Sequence, residues 1–194
     1  MSVLIPFFIA AIILAAFVII EGRLRQDASS RTFTSTEHDK GTTRLVGIAF
    51  GSSWIVLALS VPADFLAIGT LAPGLVFTII GILLMAGGLA IRVVAARTLG
   101  AYYSRTLRMK EDHRVVSEGI YRFIRHPGYL GVIVMFLGSG LAVANFIALA
   151  LIALLIIPAY LQRITAEERM LSSTLGKEYV EYAAHTRRLI PFVY

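Results

Sequence analysis

Five long stretches of this 194-residue chain contain no lysine, arginine, aspartate or glutamate, and they constrain the fold more than any other feature. A helix that crosses a bilayer needs ~20 mostly apolar residues. The mean hydropathy of +0.78 leaves little polar surface for a water-soluble globule. The sequence therefore predicts an all-α integral membrane protein, a single membrane domain over residues 1–194 with five transmembrane helices. The spans lie at about residues 3–20, 45–61, 74–91, 128–144 and 146–161.

The basic residues predict how these helices are oriented. All 18 Lys and Arg lie in residues 21–44, 92–127 and 163–194, whereas residues 62–73 hold one charge, Asp64. Because Lys and Arg concentrate in cytoplasmic loops, we expect the N-terminus outside and the C-terminus in the cytoplasm. An active site would then face the cytoplasm. The net charge of +6 follows from this topology and does not indicate a nucleic-acid partner.

Several local signals refine this arrangement. Pro127 favours a helix start, and the short turn at Asn145 predicts a tight helical hairpin between the fourth and fifth spans. Pro158 predicts a kink in the fifth span. Gly47 and Gly51 predict close packing of the second span against a neighbour. The polar residues 26–44 are predicted to form a cytoplasmic loop or a short surface helix.

Composition excludes several kinds of chemistry. The chain has no cysteine, so disulfides, thiol nucleophiles and cysteine-bound metals are excluded. His113 and His126 are far apart and lack matching carboxylates, so we expect no metal site. Glycine-rich nucleotide loops are also missing, which argues against the soluble methyltransferase or dehydrogenase fold.

Two cytoplasmic segments carry the polar residues on which chemistry could depend. Residues 108–131 contain His113, Tyr121, His126 and Tyr129. The tyrosine rings offer faces for an adenine or a cation, and the helix start at Pro127 favours an anion. The alternative is a basic loop that touches anionic lipid, with tyrosines as interfacial anchors.

The second segment is residues 162–170, in which Arg163 and Glu167 share one helix face because they lie four residues apart. Glu168 is rotated away by one position. In the alternative interpretation, the arginine side chain reaches to the membrane–water interface and the acidic residues form a solvated face.

A motif that extends across these two segments resembles the motif of a known protein family. The pattern Gly119-x-Tyr121-x-x-x-Arg125-His126-Pro127-x-Tyr129, followed by a helical hairpin and Glu167-Glu168, resembles the isoprenylcysteine carboxyl methyltransferase family. These are membrane enzymes that depend on S-adenosylmethionine, and their wider group includes phospholipid N-methyltransferases. The tail is similar as well, with Gly176, Tyr179, Tyr182 and Ile190-Pro191-Phe192.

The resemblance implies a catalytic region over residues 92–194, with a cytoplasmic cofactor-binding loop and a C-terminal helix. Arg163 and Glu167 are implied as catalytic residues, and Arg163 as the residue that binds the substrate carboxylate. The residues implied to bind S-adenosylmethionine, and S-adenosylhomocysteine after transfer, are Lys110, His113, Arg114, Val115, Val116, Tyr121, His126, Pro127, Gly128, Tyr129, Glu167 and Glu168.

The implied reaction is methylation of a lipidic carboxylate, such as a C-terminal prenylcysteine, at the membrane–cytoplasm interface. A carboxylate is already ionised at pH 7 and needs no general base. Three alternatives stay open. A phospholipid amine N-methyltransferase would need a base. A small transporter or lipid-binding scaffold would usually place ionisable groups within the spans, and a sterol-type reductase would use NADPH. The sequence does not indicate the oligomeric state.

Overall fold

The structure is a computed structural model that describes residues 3–24, 39, 41–103 and 115–190. Within them the chain forms helices α1 (Leu4–Leu24), α2 (Thr42–Phe65), α3 (Gly74–Leu99), α4 (Pro127–Ala142), α5 (Phe146–Leu175) and α6 (Lys177–His185). Two short 3-10 turns occur at Gly100–Tyr102 and Gly119–Arg122, and no β-strand forms in the described ranges. The all-α prediction is therefore confirmed for this part of the chain.

Four helices, α1, α2, α3 and α5, are long and apolar enough to cross a membrane. They expose large apolar side chains such as Ile12, Ile55, Leu83 and Leu154, as helices facing lipid do. The predicted span at residues 128–144 forms α4, which has 16 residues. At 1.5 Å per residue it is ~24 Å long, shorter than the ~30 Å hydrocarbon core. A multi-pass helical bundle is thus supported, whereas the predicted count of five spans is not confirmed.

Facing glycines bring α3 and α4 into backbone contact. A Cβ added to Gly88 would lie 2.4 Å from the carbonyl oxygen of Gly131, and one added to Gly81 would lie 2.6 Å from that of Gly138. Such distances leave no room for a side chain. Small residues at the interface let membrane helices approach closely, and this contact fixes α4 against α3.

The predicted hairpin at Asn145 is confirmed, since α4 ends at Ala142 and α5 begins at Phe146. The side-chain oxygen of Asn145 accepts a hydrogen bond from the backbone N–H of Ala148 (3.0 Å) and so caps α5. Its amide nitrogen donates to the carbonyl oxygen of Ile68, in the loop after α2 (2.8 Å). One uncharged corner therefore joins α2, α4 and α5 at this end of the bundle.

Ionised side chains meet at the other end. Arg92 of α3 pairs with Glu21 of α1 through Nε and Oε1 (2.7 Å), and both side chains are buried. The hydroxyl of Tyr103 also donates to Glu21. Helix α5 has 30 residues and is ~45 Å long, so its second half reaches beyond an apolar core of ~30 Å. Pro158 lies within this helix, which continues to Leu175.

The structure contradicts the prediction for the glycines of α2, and it differs from the prediction for the segment before α2 at the end of that segment. Nothing lies within 4 Å of a Cβ added to Gly47 or Gly51, because this face of α2 is exposed. The polar segment 26–44 is not solvated at its end: Thr42 starts α2, and Asp39 has 0% exposed surface. Residues 25–38 and 40 lie outside the described residues.

Candidate active site

The site begins with a turn around Tyr121. Gly119 has a φ of +54°, a conformation that favours glycine, and it opens the 3-10 turn that carries Tyr121. Tyr121 is buried, and its carbonyl oxygen accepts a hydrogen bond from the hydroxyl of Tyr182 on α6 (2.7 Å). Burial raises the pKa of Tyr182 from 10.0 to about 12, so this phenol keeps its proton and can donate well above neutral pH. The turn is thereby tied to α6.

The backbone after this turn pairs with the segment that follows α6. The N–H of Arg125 donates to the carbonyl of Arg187 (2.7 Å), and the N–H of His126 donates to that of Arg188 (3.0 Å). The side chain of Arg125 also donates through Nη1 to the carbonyl of Ala183 (2.9 Å) and to that of Thr186. Arg125 therefore fixes the chain after α6 beside the start of α4.

Glu168 is the centre of an ion cluster. Its Oε1 lies 2.8 Å from Nε of Arg125 and 3.4 Å from Nε2 of His126, and its Oε2 lies 2.9 Å from Nε of Arg188. The contacts join α5 to the chain on both sides of α6. Glu168 thus contacts one predicted site residue, His126, and two arginines.

His126 and Tyr129 form the wall of the site at the start of α4. Pro127 is the first residue of α4, as predicted, and His126 precedes it as the N-cap residue. The rings of His126 and Tyr129 are stacked, with centroids 5.5 Å apart and planes at 8°. The ring of Tyr129 also packs against Tyr160 of α5, with centroids 5.3 Å apart. Both rings are thus held between α4 and α5.

The hydroxyl of Tyr129 joins the two residues predicted to be catalytic. It donates to Oε2 of Glu167 (2.5 Å) and accepts from Nε of Arg163 (3.3 Å). Nδ1 of His126 lies 3.8 Å from the same Glu167 oxygen. Arg163 and Glu167 were expected to share one face of a helix, and the structure places them on one face of α5 with Tyr129 between them.

The guanidinium of Arg163 has further partners at the start of α2. Its Nη1 donates to Oδ1 of Asp39 (2.5 Å), to Oγ1 of Thr43 (2.8 Å) and to Oγ1 of Thr42 (3.1 Å). Arg163 and Asp39 are both buried. A cation removed from water requires an opposite charge and hydrogen-bond acceptors, and this cluster supplies both.

The remaining predicted site residues lie around this centre. The backbone N–H of Val115 donates to Oε1 of Glu178 on α6 (3.1 Å), and Val116 follows it in the chain, partly buried. Pro127 is fully buried. A Cβ added to Gly128 would lie 2.8 Å from Nη1 of Arg92, so Gly128 allows close packing there. Lys110, His113 and Arg114, and Pro191 and Phe192 of the tail, lie outside the described residues.

Sequence reasoning missed Asp39, Glu178 and the role of Arg125. Arg163 and Asp39 are 124 residues apart, and no local pattern links them. One signal was available: Asp39 precedes Thr42, Thr43 and a long apolar run, and Asp with Thr is typical of a helix start. Arg125 stood inside the quoted motif, but its contacts depend on the chain after α6.

Fold and site together define a class: a multi-pass helical membrane protein with a partly buried Arg–Tyr–Glu cluster at the charged end of its bundle. A family model described as the isoprenylcysteine carboxyl methyltransferase (ICMT) family matches residues 79–173. These residues include Tyr121, His126, Tyr129, Arg163 and Glu167. This match agrees with the family resemblance that the sequence predicted.

Individual proteins are similar to this chain over part of its length. A probable protein-S-isoprenylcysteine O-methyltransferase of Oryza sativa subsp. indica is 29% identical over 116 residues, covering 59% of this chain and 61% of the rice protein. The protein-S-isoprenylcysteine O-methyltransferase of Saccharomyces cerevisiae is 32% identical over 118 residues, covering 60% of this chain and 49% of the yeast protein.

A solved structure has a similar fold. The eukaryotic intramembrane Ras methyltransferase ICMT superposes with a TM-score of 0.62 at 27% identity, covering 76% of this chain and 52% of that one. The chain therefore spans between about half and three fifths of the length of these relatives.

Proposed function

We propose that this protein is an S-adenosylmethionine-dependent methyltransferase that methylates the carboxylate of a lipidic acceptor, such as a C-terminal prenylcysteine, and releases S-adenosylhomocysteine. The family and the names of its relatives support methyl transfer to such a carboxylate. The observation that carries the proposal is the contact of Arg163 and Glu167 with one hydroxyl, that of Tyr129. A carboxylate-binding cation and an acid suited to a cationic donor thus lie side by side.

The residues around Glu167 fit the methyl donor. A carboxylate complements a positive charge, and the stacked rings of His126 and Tyr129 present aromatic faces, which attract cations. The Glu167 side chain is 26% exposed, so it is accessible from outside the helix bundle. When bound, S-adenosylmethionine supplies an electrophilic methyl group. Val115, Val116, Tyr121, Pro127, Gly128 and Glu168 are proposed to line its site, with Lys110, His113 and Arg114 by resemblance.

The chain's own residues act mainly by alignment. Arg163 would orient the acceptor carboxylate, because a guanidinium offers several N–H groups in a fixed plane. No residue needs to remove a proton, since the acceptor is already ionised at neutral pH. Holding both reactants in line can lower the barrier by ~7–11 kcal/mol. Arg163 and Glu167 are the proposed catalytic residues, with Tyr129 fixing their separation.

Placement in the membrane completes the proposal. Residues 1–194 would form one membrane domain with five spans, in which α4 crosses as a short helix packed against α3. The N-terminus would lie outside, and the catalytic region over residues 92–194 would face the cytoplasm because the basic residues lie at that end. The prenyl tail of the acceptor could then enter from lipid while the carboxylate of its C-terminal cysteine meets Arg163.

The test is transfer of radiolabelled methyl from S-adenosylmethionine to a panel of acceptors by purified protein. We expect a base-labile methyl ester on N-acetyl-S-farnesylcysteine and no labelling of phosphatidylethanolamine. Labelling of the amine lipid alone would indicate an N-methyltransferase, and no labelling of any acceptor would contradict the proposal.

Arg163→Lys is the informative variant, because it keeps a positive charge beside the buried Asp39 but loses the planar N–H groups. It should lower transfer strongly. Arg169→Lys, six residues further along α5 and exposed, is the matched control and should retain full transfer.

A further inference from the structure

Arg163 and Glu167 carry opposite charges on the same face of α5. Arg163 and Glu167 lie four residues apart on α5, a spacing at which arginine and glutamate commonly form a salt bridge. Such a bridge would neutralise both residues. The proposed function needs them separately, since Arg163 is proposed to bind an acceptor carboxylate and Glu167 a cationic donor.

Asp39 competes with Glu167 for this guanidinium. Its Oδ1 accepts from Nη1 of Arg163 (2.5 Å), while Nε of Arg163 reaches the hydroxyl of Tyr129 at 3.3 Å. That hydroxyl in turn donates to Glu167 (2.5 Å). Asp39 is therefore a direct anionic partner of Nη1, and the Tyr129 hydroxyl lies between Nε and Glu167.

Asp39 is itself firmly held. Its Oδ1 accepts from Oγ1 of Thr42 (2.6 Å), from Oγ1 of Thr43 (3.0 Å) and from the N–H of Thr43 (3.1 Å). Its exposed fraction is 0%. A buried carboxylate with this many donors is fixed in place, so it can hold a flexible arginine side chain in one orientation.

We propose that Asp39 is a positioning residue that holds Arg163 away from Glu167 and so keeps the Glu167 carboxylate available for the positive charge of the methyl donor. Asp39, Thr42 and Thr43 all lie before residue 79, outside the segment that the family model matches. The inference rests on the proposed function, because it assigns the donor to Glu167.

The inference predicts a charge-specific effect. S-Adenosylmethionine and S-adenosylhomocysteine differ by one methyl group and one positive charge. In Asp39→Asn, Arg163 loses the carboxylate that holds Nη1, and its guanidinium turns to Glu167. Affinity for S-adenosylmethionine should then fall about tenfold or more, and affinity for S-adenosylhomocysteine by less than about threefold. A purely structural role for Asp39 would change both affinities equally or neither.

Calorimetric titration of the purified full chain in detergent measures both affinities without an acceptor. Asp64→Asn, the same change at the opposite end of α2, is the matched control and should leave both affinities unchanged. The double variant Asp39→Asn/Arg163→Gln removes the guanidinium together with the Asp39 carboxylate, so it should fold if Asp39→Asn does not. It should bind S-adenosylmethionine nearly as tightly as the wild type, because Glu167 is free again.

The outcomes separate the two proposals. If the wild type binds neither compound, the proposed function is wrong. If the wild type binds both, and Asp39→Asn retains the wild-type ratio of affinities, the role of Asp39 alone is wrong. Weak binding of S-adenosylmethionine by the double variant, with binding of S-adenosylhomocysteine retained, would also overturn it.

Discussion

At the scale of single residues, the Tyr129 hydroxyl is the group that contacts both residues predicted to be catalytic. It donates to Glu167 and accepts from Arg163, while its ring stacks on His126. The ring and the hydroxyl therefore contribute separately. The ring packs against His126, and the hydroxyl lies between the guanidinium of Arg163 and the carboxylate of Glu167.

Tyr129→Phe removes the hydroxyl and keeps the ring, so it separates these two contributions. The ring contacts should remain, so the thermal midpoint should change little, whereas Arg163 and Glu167 lose their common hydrogen-bonding partner. We expect kcat for methyl transfer to fall roughly 10–100-fold, as misalignment of reactants commonly does. Steady-state kinetics with N-acetyl-S-farnesylcysteine measure the effect, and an unchanged kcat would remove the assigned role of the hydroxyl.

Tyr182 supports a prediction about pH. Burial raises its pKa from 10.0 to about 12. Its folded form therefore holds the proton more tightly than its unfolded form, and this contribution to stability is present below pH 10 and is lost as the pH rises towards 12. Denaturation at pH 8–12 should show a smaller loss for Tyr182→Phe than for the wild type. An equal loss would contradict the assignment.

At the scale of elements, the contact between α3 and α4 determines where the site begins. Gly88 and Gly131 let the two backbones touch, and the N-terminal end of α4 carries His126 and Tyr129. A change in the spacing of these helices would therefore move both rings. The packing of the bundle and the geometry of the site are coupled through α4.

Gly88→Ala should test this contact, because the added Cβ would lie 2.4 Å from the carbonyl oxygen of Gly131. Overpacking of this kind typically costs ~1–3 kcal/mol, so the thermal midpoint in detergent should fall by several degrees. Gly87→Ala is the matched control, because nothing lies within 4 Å of its Cβ. Equal midpoints for the two variants would contradict the close approach.

The elements also show what could be predicted from the sequence. Charge-free runs located the helices, Pro127 marked the start of α4, and Asn145 marked the hairpin, because each signal is local. The sequence predicted the close glycine contact on α2, whereas the structure has it on α3. The sequence around Gly47 and Gly81 does not show which of them faces a neighbouring helix. The Glu21–Arg92 and Asp39–Arg163 pairs join residues 71 and 124 positions apart, which no local pattern predicts.

At the scale of the whole molecule, the two ends of the bundle differ in charge. The corner around Asn145 and Ile68 is joined by uncharged groups, whereas Glu21, Arg92 and Arg163 are buried at the opposite end. Since Lys and Arg favour the cytoplasmic side, a tag fused after residue 194 should react with reagents only from the cytoplasm. Labelling of that tag from the outside of intact cells would contradict the proposed orientation.

The proposed methyl transfer depends on a methyl donor binding at the charged end of the bundle. Titration of the purified protein with S-adenosylmethionine, with Glu167→Gln in parallel, tests this most directly. We predict saturable binding at one site per chain, weakened in Glu167→Gln because the positive charge of the methyl donor loses its carboxylate partner. Absence of binding to the wild type, or equal affinity in the variant, would contradict the placement of the donor.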